Sequence, residues 1–153
     1  MEMARTAYSI QTGDASARAK ANELPISPKH AIEIAREVRG MKTKDAIEFL
    51  EDVVALKRAV AFRRFNSDVA HKRGLKGWDA GRYPVKASAC FITLIKSVEK
   101  NAEYIGLDTE NLIIDHISAN RGRKMRGIFP RAMGRATPKI AESVNIEISV
   151  KEA

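Results

Sequence analysis

Between Arg121 and Lys139 the chain carries seven basic residues and no acidic one: Arg121, Arg123, Lys124, Arg126, Arg131, Arg135 and Lys139. No other stretch constrains the fold as strongly. Guanidinium groups without carboxylate partners are too costly to bury, so this segment cannot lie in the protein's own interior. It needs a polyanion to lie against. Gly122, Gly127 and Gly134 punctuate it, together with Pro130 and Pro138. Glycines set between arginines allow tight bends and close approach to a partner.

The flanks read as strands. Residues 111–119 hold Leu112, Ile113, Ile114 and Ile117, a composition suited to a buried strand. Further on, Val144, Ile146, Ile148 and Val150 alternate with Asn145, Glu147, Ser149 and Lys151. A period of two predicts one buried and one wet face. Two strands joined by a basic excursion predict an antiparallel hairpin over about residues 118–143. The outgoing arm, taken from Asn111 to Met125, would span about 50 Å when extended. A domain of this size has a radius of gyration of about 15 Å, so the hairpin should project beyond the body. A lone two-stranded ribbon is marginal in water, so an RNA or other polyanionic partner is expected to order it.

Composition supplies the frame. The 153 residues are 44% apolar and 30% charged, which suits one globular domain over 1–153. A net charge of +8 favours a nucleic acid or an anionic membrane. No apolar run approaches the roughly 20 residues of a membrane span, and the start lacks a signal-peptide pattern. Cys90 is the single cysteine, which fits a reducing cytoplasm. The charge is concentrated in two places: residues 57–86 carry +7 and residues 121–139 carry +7, while the rest is mildly acidic. In the first segment Arg63, Arg64, Lys72, Arg73, Lys76 and Arg82 are interleaved with Phe62, Phe65, Trp78 and Tyr83. Such interleaving suits RNA, whose phosphates meet cations and whose unpaired bases stack on rings. The same aromatics could instead tuck into the core.

Three helices complete the pattern. Ser27-Pro28 starts one at an N-cap and first-turn proline, with Ala31, Ile34, Ala35 and Val38 on one face and Gly40 as its stop. Thr43 is the expected cap of the second, which carries Ala46, Ile47, Leu50, Val53 and Val54 at helical spacing. The third is expected over Val85–Ile105 behind Pro84, with a stripe of Val85, Ala89, Ile92, Ile95, Val98, Ala102 and Ile105. A short strand is expected near Ala21–Ile26, preceded by a turn at Gly13-Asp14. Three helices packed on a small antiparallel sheet, with a projecting hairpin, make an α+β fold.

No catalytic or metal site is expected. His30, His71 and His116 lack ligand spacing with any other His, Cys or acid. Asp115 and His116 are neighbours on a strand and point to opposite faces. Cys90 lies in an apolar helix without the electropositive setting of a nucleophile. No phosphate-cradling glycine motif is present, and no cofactor is expected.

The octapeptide FPRAMGRA at residues 129–136, followed by VNIEISV, resembles the hairpin of large-subunit ribosomal protein twenty-two, called seventeen in eukaryotes. PISPKHAIEIAREVRG at 25–40, KDAIEFLEDV at 44–53 and SVEKNAE at 97–103 extend the resemblance over most of the chain. It implies a structural constituent of the large ribosomal subunit, not an enzyme. Its body would sit near the nascent-chain exit, and its hairpin would thread through rRNA to line the exit tunnel. Met125, Arg126, Gly127 and Ile128 would form the tip, and Arg131 and Arg135 would grip rRNA along the return arm. Expected partners are large-subunit rRNA, neighbouring large-subunit proteins and, transiently, the nascent polypeptide. The protein would be a monomer within the ribosome and would assist early subunit assembly. Residues 61–84 look like the archaeal and eukaryotic form, which bacterial members lack. Ala141-Glu142-Ser143 replaces residues that are usually more basic in bacterial members.

From the residues alone two other readings stay open. One is a non-ribosomal RNA-binding module or RNA chaperone. The other is an enzyme acting on RNA, which would have to use Asp68 and Asp79, the two acids of the first basic segment.

Overall fold

The strand with the period of two becomes the middle of the sheet. A computed structural model describes residues 8–10 and 16–152. In it β5 (Ala136–Glu152) lies between β1 (Ser16–Leu24) and β4 (Leu112–Pro130), antiparallel to both. α1 (Pro28–Val38), α2 (Thr43–Val54) and α3 (Val85–Ile105) complete the α+β body, with a small ribbon of β2 (Val60–Ala61) and β3 (Gly81–Arg82). α3 packs over β1, α1 over the body end of β4, and α2 against α3. The core gathers Val144, Ile146, Ile148 and Val150 of β5 with Leu112, Ile114 and Ile117 of β4 and the helices' apolar faces.

Several boundaries differ from expectation for identifiable reasons. β1 begins earlier than the expected Ala21–Ile26, because its inward positions are the small residues Ala17 and Ala19, which give a faint pattern. It ends where Glu23 takes a φ of 54° and the pairing with β5 shifts register. The expected Gly13-Asp14 turn lies outside the described residues. Lys42, not Thr43, is the N-cap of α2. Its backbone is held extended by a bridge to Ile113, so the helix starts at Thr43, one residue earlier than expected. α3 has the expected span and ends at Gly106, whose φ of 88° suits a glycine cap. Its buried face is rotated, however: Ala87, Phe91, Leu94, Ile95, Val98 and Ala102 point inward, while Val85, Ala89 and Ile105 are exposed. Phe91 and Leu94 offer more apolar area than the residues they displace, and area decides the rotation.

The outer face of β5 is not wet. Glu147 and Ser149 are both buried. Ser9 donates to the Glu147 carboxylate through its backbone N–H at 3.1 Å and through its hydroxyl. Ser118 Oγ donates to Glu147 Oε1 at 2.9 Å, and Lys20 Nζ lies 3.8 Å from Oε2. Burial pushes the Glu147 pKa up, but the hydrogen bonds from Ser9 and Ser118 and the Lys20 charge outweigh it and hold the carboxyl below its ordinary range. Tyr8 covers the neighbouring strand, with the Arg18 guanidinium 4.9 Å from its ring centroid.

Candidate nucleic-acid interface

Beyond Asn120 the hairpin leaves the body. Every residue from Arg123 to Ala141 is exposed, although β4 and β5 stay paired as far as Pro130 and Ala136. The 19 residues of β4 make a strand of about 60 Å at ~3.3 Å per residue. Backbone pairing is satisfied along this arm, yet neither face buries anything. Met125, Ile128, Phe129 and Ile140 stand exposed beside the cations.

The tip is not where the sequence placed it. Met125, Arg126, Gly127 and Ile128 lie within the outgoing strand, opposite Ala141, Ile140, Lys139 and Pro138. The chain reverses over residues 131–135, closed by the Arg131 N–H donating to the Arg135 carbonyl at 2.8 Å. Arg131 and Arg135 therefore bracket the turn instead of lining the return arm. The backbone explains the shift. Gly127 stays in the ladder, whereas Met133 and Gly134 take φ values of 59° and 68°, the left-handed geometry that reverses a strand. Met133 is 93% exposed at the apex.

The charges of the ribbon are staggered. Arg121 faces Val144, Lys124 faces Glu142, Arg126 faces Ile140 and Lys139 faces Gly127. Lys124 Nζ reaches Glu142 Oε1 at 3.3 Å. Phe129 lies under two cations, with Lys139 Nζ at 5.1 Å and the Arg131 guanidinium at 6.0 Å from its centroid. Every ion pair among the described residues is made by Lys or His, and none by Arg. Arg131 Nε donates to Thr137 Oγ1 at 3.1 Å across the turn, and the arginines' planar forks, which suit phosphate oxygens, pair with no carboxylate here.

The first basic segment is a loop pinned to the body. Phe62 is buried and meets His30 edge-on at 5.4 Å. Burial, aided by the Arg82 charge, lowers the His30 pKa below 6.5. Trp78 Nε1–H donates to the Phe62 carbonyl at 2.8 Å. Glu33, buried on α1, accepts the backbone N–H groups of Arg64 and Phe65 at 2.7 and 2.8 Å. Arg63, Arg64, Arg73, Lys76 and Arg82 are exposed, and Lys72 is half-buried. The two readings of the aromatics divide between residues. Phe62 belongs to the core, while Trp78, Phe65 and Tyr83 lie half-buried beneath Arg63, Arg64 and Lys72 at 5.8, 5.4 and 5.4 Å. Those three rings hold the loop's own cations in place, which leaves less of each face open to bases.

Sequence reasoning missed Arg36 and Arg39. Arg36 lies in the last turn of α1 and Arg39 caps its C-terminal end with extended backbone. Both are exposed and line a cleft of about 400 Å³ with Arg64 and residues 117–119 of β4. They were hidden by the near-neutral balance of residues 1–56. The available signal was two arginines at the C-terminal end of the first helix, where the helix dipole favours cations.

Comparison with known proteins agrees with this architecture. The family model described as Ribosomal protein L22p/L17e matches residues 19–151. The large ribosomal subunit protein uL22 of Methanoculleus marisnigri is 66% identical over 151 residues, covering 98% of this chain and 99% of that protein. That of Methanoregula boonei is 64% identical over 152 residues, with the same coverage. That of Methanocaldococcus jannaschii is 48% identical over 151 residues, covering 98% and 97%. With a family match across both basic segments and most of the sheet, the chain belongs to the ribosomal protein L22p/L17e family.

Proposed function

We propose that this chain is a structural, non-enzymatic constituent of the large ribosomal subunit that binds its rRNA. The observation that carries the reading is the ribbon beyond Asn120: paired along its length, exposed on both faces, and furnished with arginines that have no carboxylate partner among the described residues. A surface of that kind gains its free energy from phosphates and from releasing their counterions. The exposed cations of the loop, Arg63, Arg64, Arg73, Lys76 and Arg82, add a second contact at the body. One domain serves both. Neighbouring large-subunit proteins share the surroundings, and the protein works in the cytoplasmic ribosome.

The finer assignment concerns the tip. The ribbon's strands over residues 121–130 reach about 33 Å beyond the body, long enough to pass into rRNA and present the turn to the exit tunnel. Arg131 and Arg135 would hold the turn among phosphates, while the apex Met133 would face the nascent polypeptide. Members with the turn 131–135 replaced by Asn-Gly and both arms intact should still co-sediment with the large subunit and show altered contact with nascent chains. Loss of co-sedimentation would make the turn an anchor instead. Co-sedimentation of the unaltered protein tests the broader reading, and a protein that stayed at the top of the gradient would sink it.

A further inference from the structure

The two basic segments are separate in sequence, but the fold closes the gap between them. Arg64 belongs to the first. The second begins at Arg121, two residues beyond Ala119. Between them runs the cleft of about 400 Å³ whose walls are Ile32, Glu33 and Ala35 of α1 and residues 117–119 of β4. Its rim carries Arg36, Arg39 and Arg64, all exposed.

The three guanidinium groups are held in different ways. Arg39 Nη2 donates to the Ile117 carbonyl at 2.8 Å, which fixes its fork at the root of the hairpin and leaves other N–H groups free. Arg64 is placed by its own backbone, since its N–H is bound to the buried Glu33 carboxylate at 2.7 Å. Its guanidinium lies 5.4 Å from the Phe65 ring. Arg36 occupies the last turn of α1, where the helix dipole favours a cation. None has a carboxylate within ion-pair distance among the described residues. Glu33 is the acid of the cleft, and its Oε1 is already committed to two N–H donors. Its Oε2 is buried without a hydrogen-bond partner among the described residues, and it forms no ion pair with any of the three guanidinium groups.

We propose that this cleft is a third RNA-backbone site, which takes consecutive phosphates and joins the loop and hairpin contacts into one continuous track. The proposal rests on the rRNA-binding reading above. Glu33 acts as a positioning residue, because it sets the backbone from which Arg64 projects.

The test measures affinity of the full chain for archaeal large-subunit rRNA transcript between 50 and 200 mM salt. Each lost phosphate contact removes about 0.7 to 0.9 from the slope of log K against log salt. Arg36→Gln combined with Arg64→Gln should thus flatten the slope by about 1.4 to 1.8 and cut the salt-induced weakening over this range by about 7- to 12-fold. The melting temperature should hold, since both side chains are exposed. Arg36→Lys with Arg64→Lys should restore the slope, because charge sets it. An unchanged slope in the double Gln variant overturns the proposal. So does a loss of affinity with the wild-type slope, which would mark a structural effect. Arg126→Gln with Arg135→Gln separates the two readings. If that pair flattens the slope and the cleft pair does not, the cleft alone fails. If the unaltered chain shows no steep salt dependence, the rRNA reading fails and takes the cleft with it.

Discussion

Gly122 sits where the hairpin leaves the body, and a methyl group there should be felt. The pairing of β4 with β5 shifts register between Arg121 and Lys124, which brings Gly122 against β5. A Cβ at this position would lie 2.5 Å from Ser143 Oγ, 3.1 Å from Asn145 Oδ1 and 3.4 Å from the Ser143 carbonyl carbon. Ser143 Oγ donates to the Arg123 carbonyl at 2.9 Å, and Asn145 Oδ1 accepts the Glu23 N–H at 2.8 Å. Gly122→Ala must therefore displace the Ser143 hydroxyl, losing a hydrogen bond of about 1 kcal/mol. Crowding against the partner strand adds about 1–3 kcal/mol, and the stiffer unfolded chain returns about 0.4–1 kcal/mol. The net cost is on the order of 1–3 kcal/mol, which lowers the melting temperature by about 2–4 °C per kcal/mol in a chain of this size. Urea unfolding of the isolated protein gives the free energy directly. Ser143→Ala removes the oxygen that the methyl group meets. The Gly122→Ala penalty should then shrink in that background, with a coupling of about 1–2 kcal/mol. A wild-type stability for Gly122→Ala, or the same penalty with and without Ser143, would refute the packing account of this glycine.

Other perturbations separate the body from the ribbon. The depressed Glu147 pKa means a contribution to stability that is present above 4.5, the ordinary value, and lost as pH falls through the folded-state value. Glu147→Gln should accordingly flatten the acid limb of stability against pH, read by urea midpoints from pH 3 to 7 (roughly the window of carboxylate titration). Arg126→Gln with Arg135→Gln should leave urea stability within about 0.5 kcal/mol, as exposed sites do, while weakening binding to rRNA transcript. Gly134→Ala meets no atom within 4 Å, so its cost is the left-handed φ of 68° alone, about 1 kcal/mol. That cost is confined to the turn and should appear as faster trypsin cleavage at Arg131 and Arg135 with an unchanged melting temperature. Trp78→Phe removes the donor to the Phe62 carbonyl and should cost about 1 kcal/mol, measured by the same urea titration.

Features with a strong period were legible in the sequence. β5 could be read from Val144, Ile146, Ile148 and Val150, and α3 from its proline start and glycine stop. Features fixed by what lies opposite were not. The outer face of β5 reads as wet until Ser9 and Ser118 are seen to close over Glu147. The rotation of α3 follows from which apolar stripe meets β1, and both stripes are present at helical spacing. The tip was misplaced because Gly127 and Gly134 look alike in sequence, while a backbone that turns distinguishes them at once. Arg36 and Arg39 went unnoticed because charge summed over 56 residues hides two cations that the end of α1 brings to one cleft. The resemblance pointed to the family that the comparisons show, yet the position of the turn came only from the strand pairing.

The staggered charges of the ribbon bear on how its register is chosen. In most sheets a buried face selects the pairing, since a slip by one residue turns the apolar set outward. The distal arms of β4 and β5 have no buried face, so that selection is absent there. Charge takes its place. In the observed alignment Lys124 meets Glu142 and no cation stands opposite another. Sliding β5 by one residue in the direction that shortens the turn would set Arg126 against Lys139 and part Lys124 from Glu142. Like charges directly opposite are destabilising and opposite charges favourable, each by up to about 1 kcal/mol. A naked ribbon thus keeps its alignment through the order of its charges, and the single acid among them, Glu142, serves as the peg that marks where the two strands must meet.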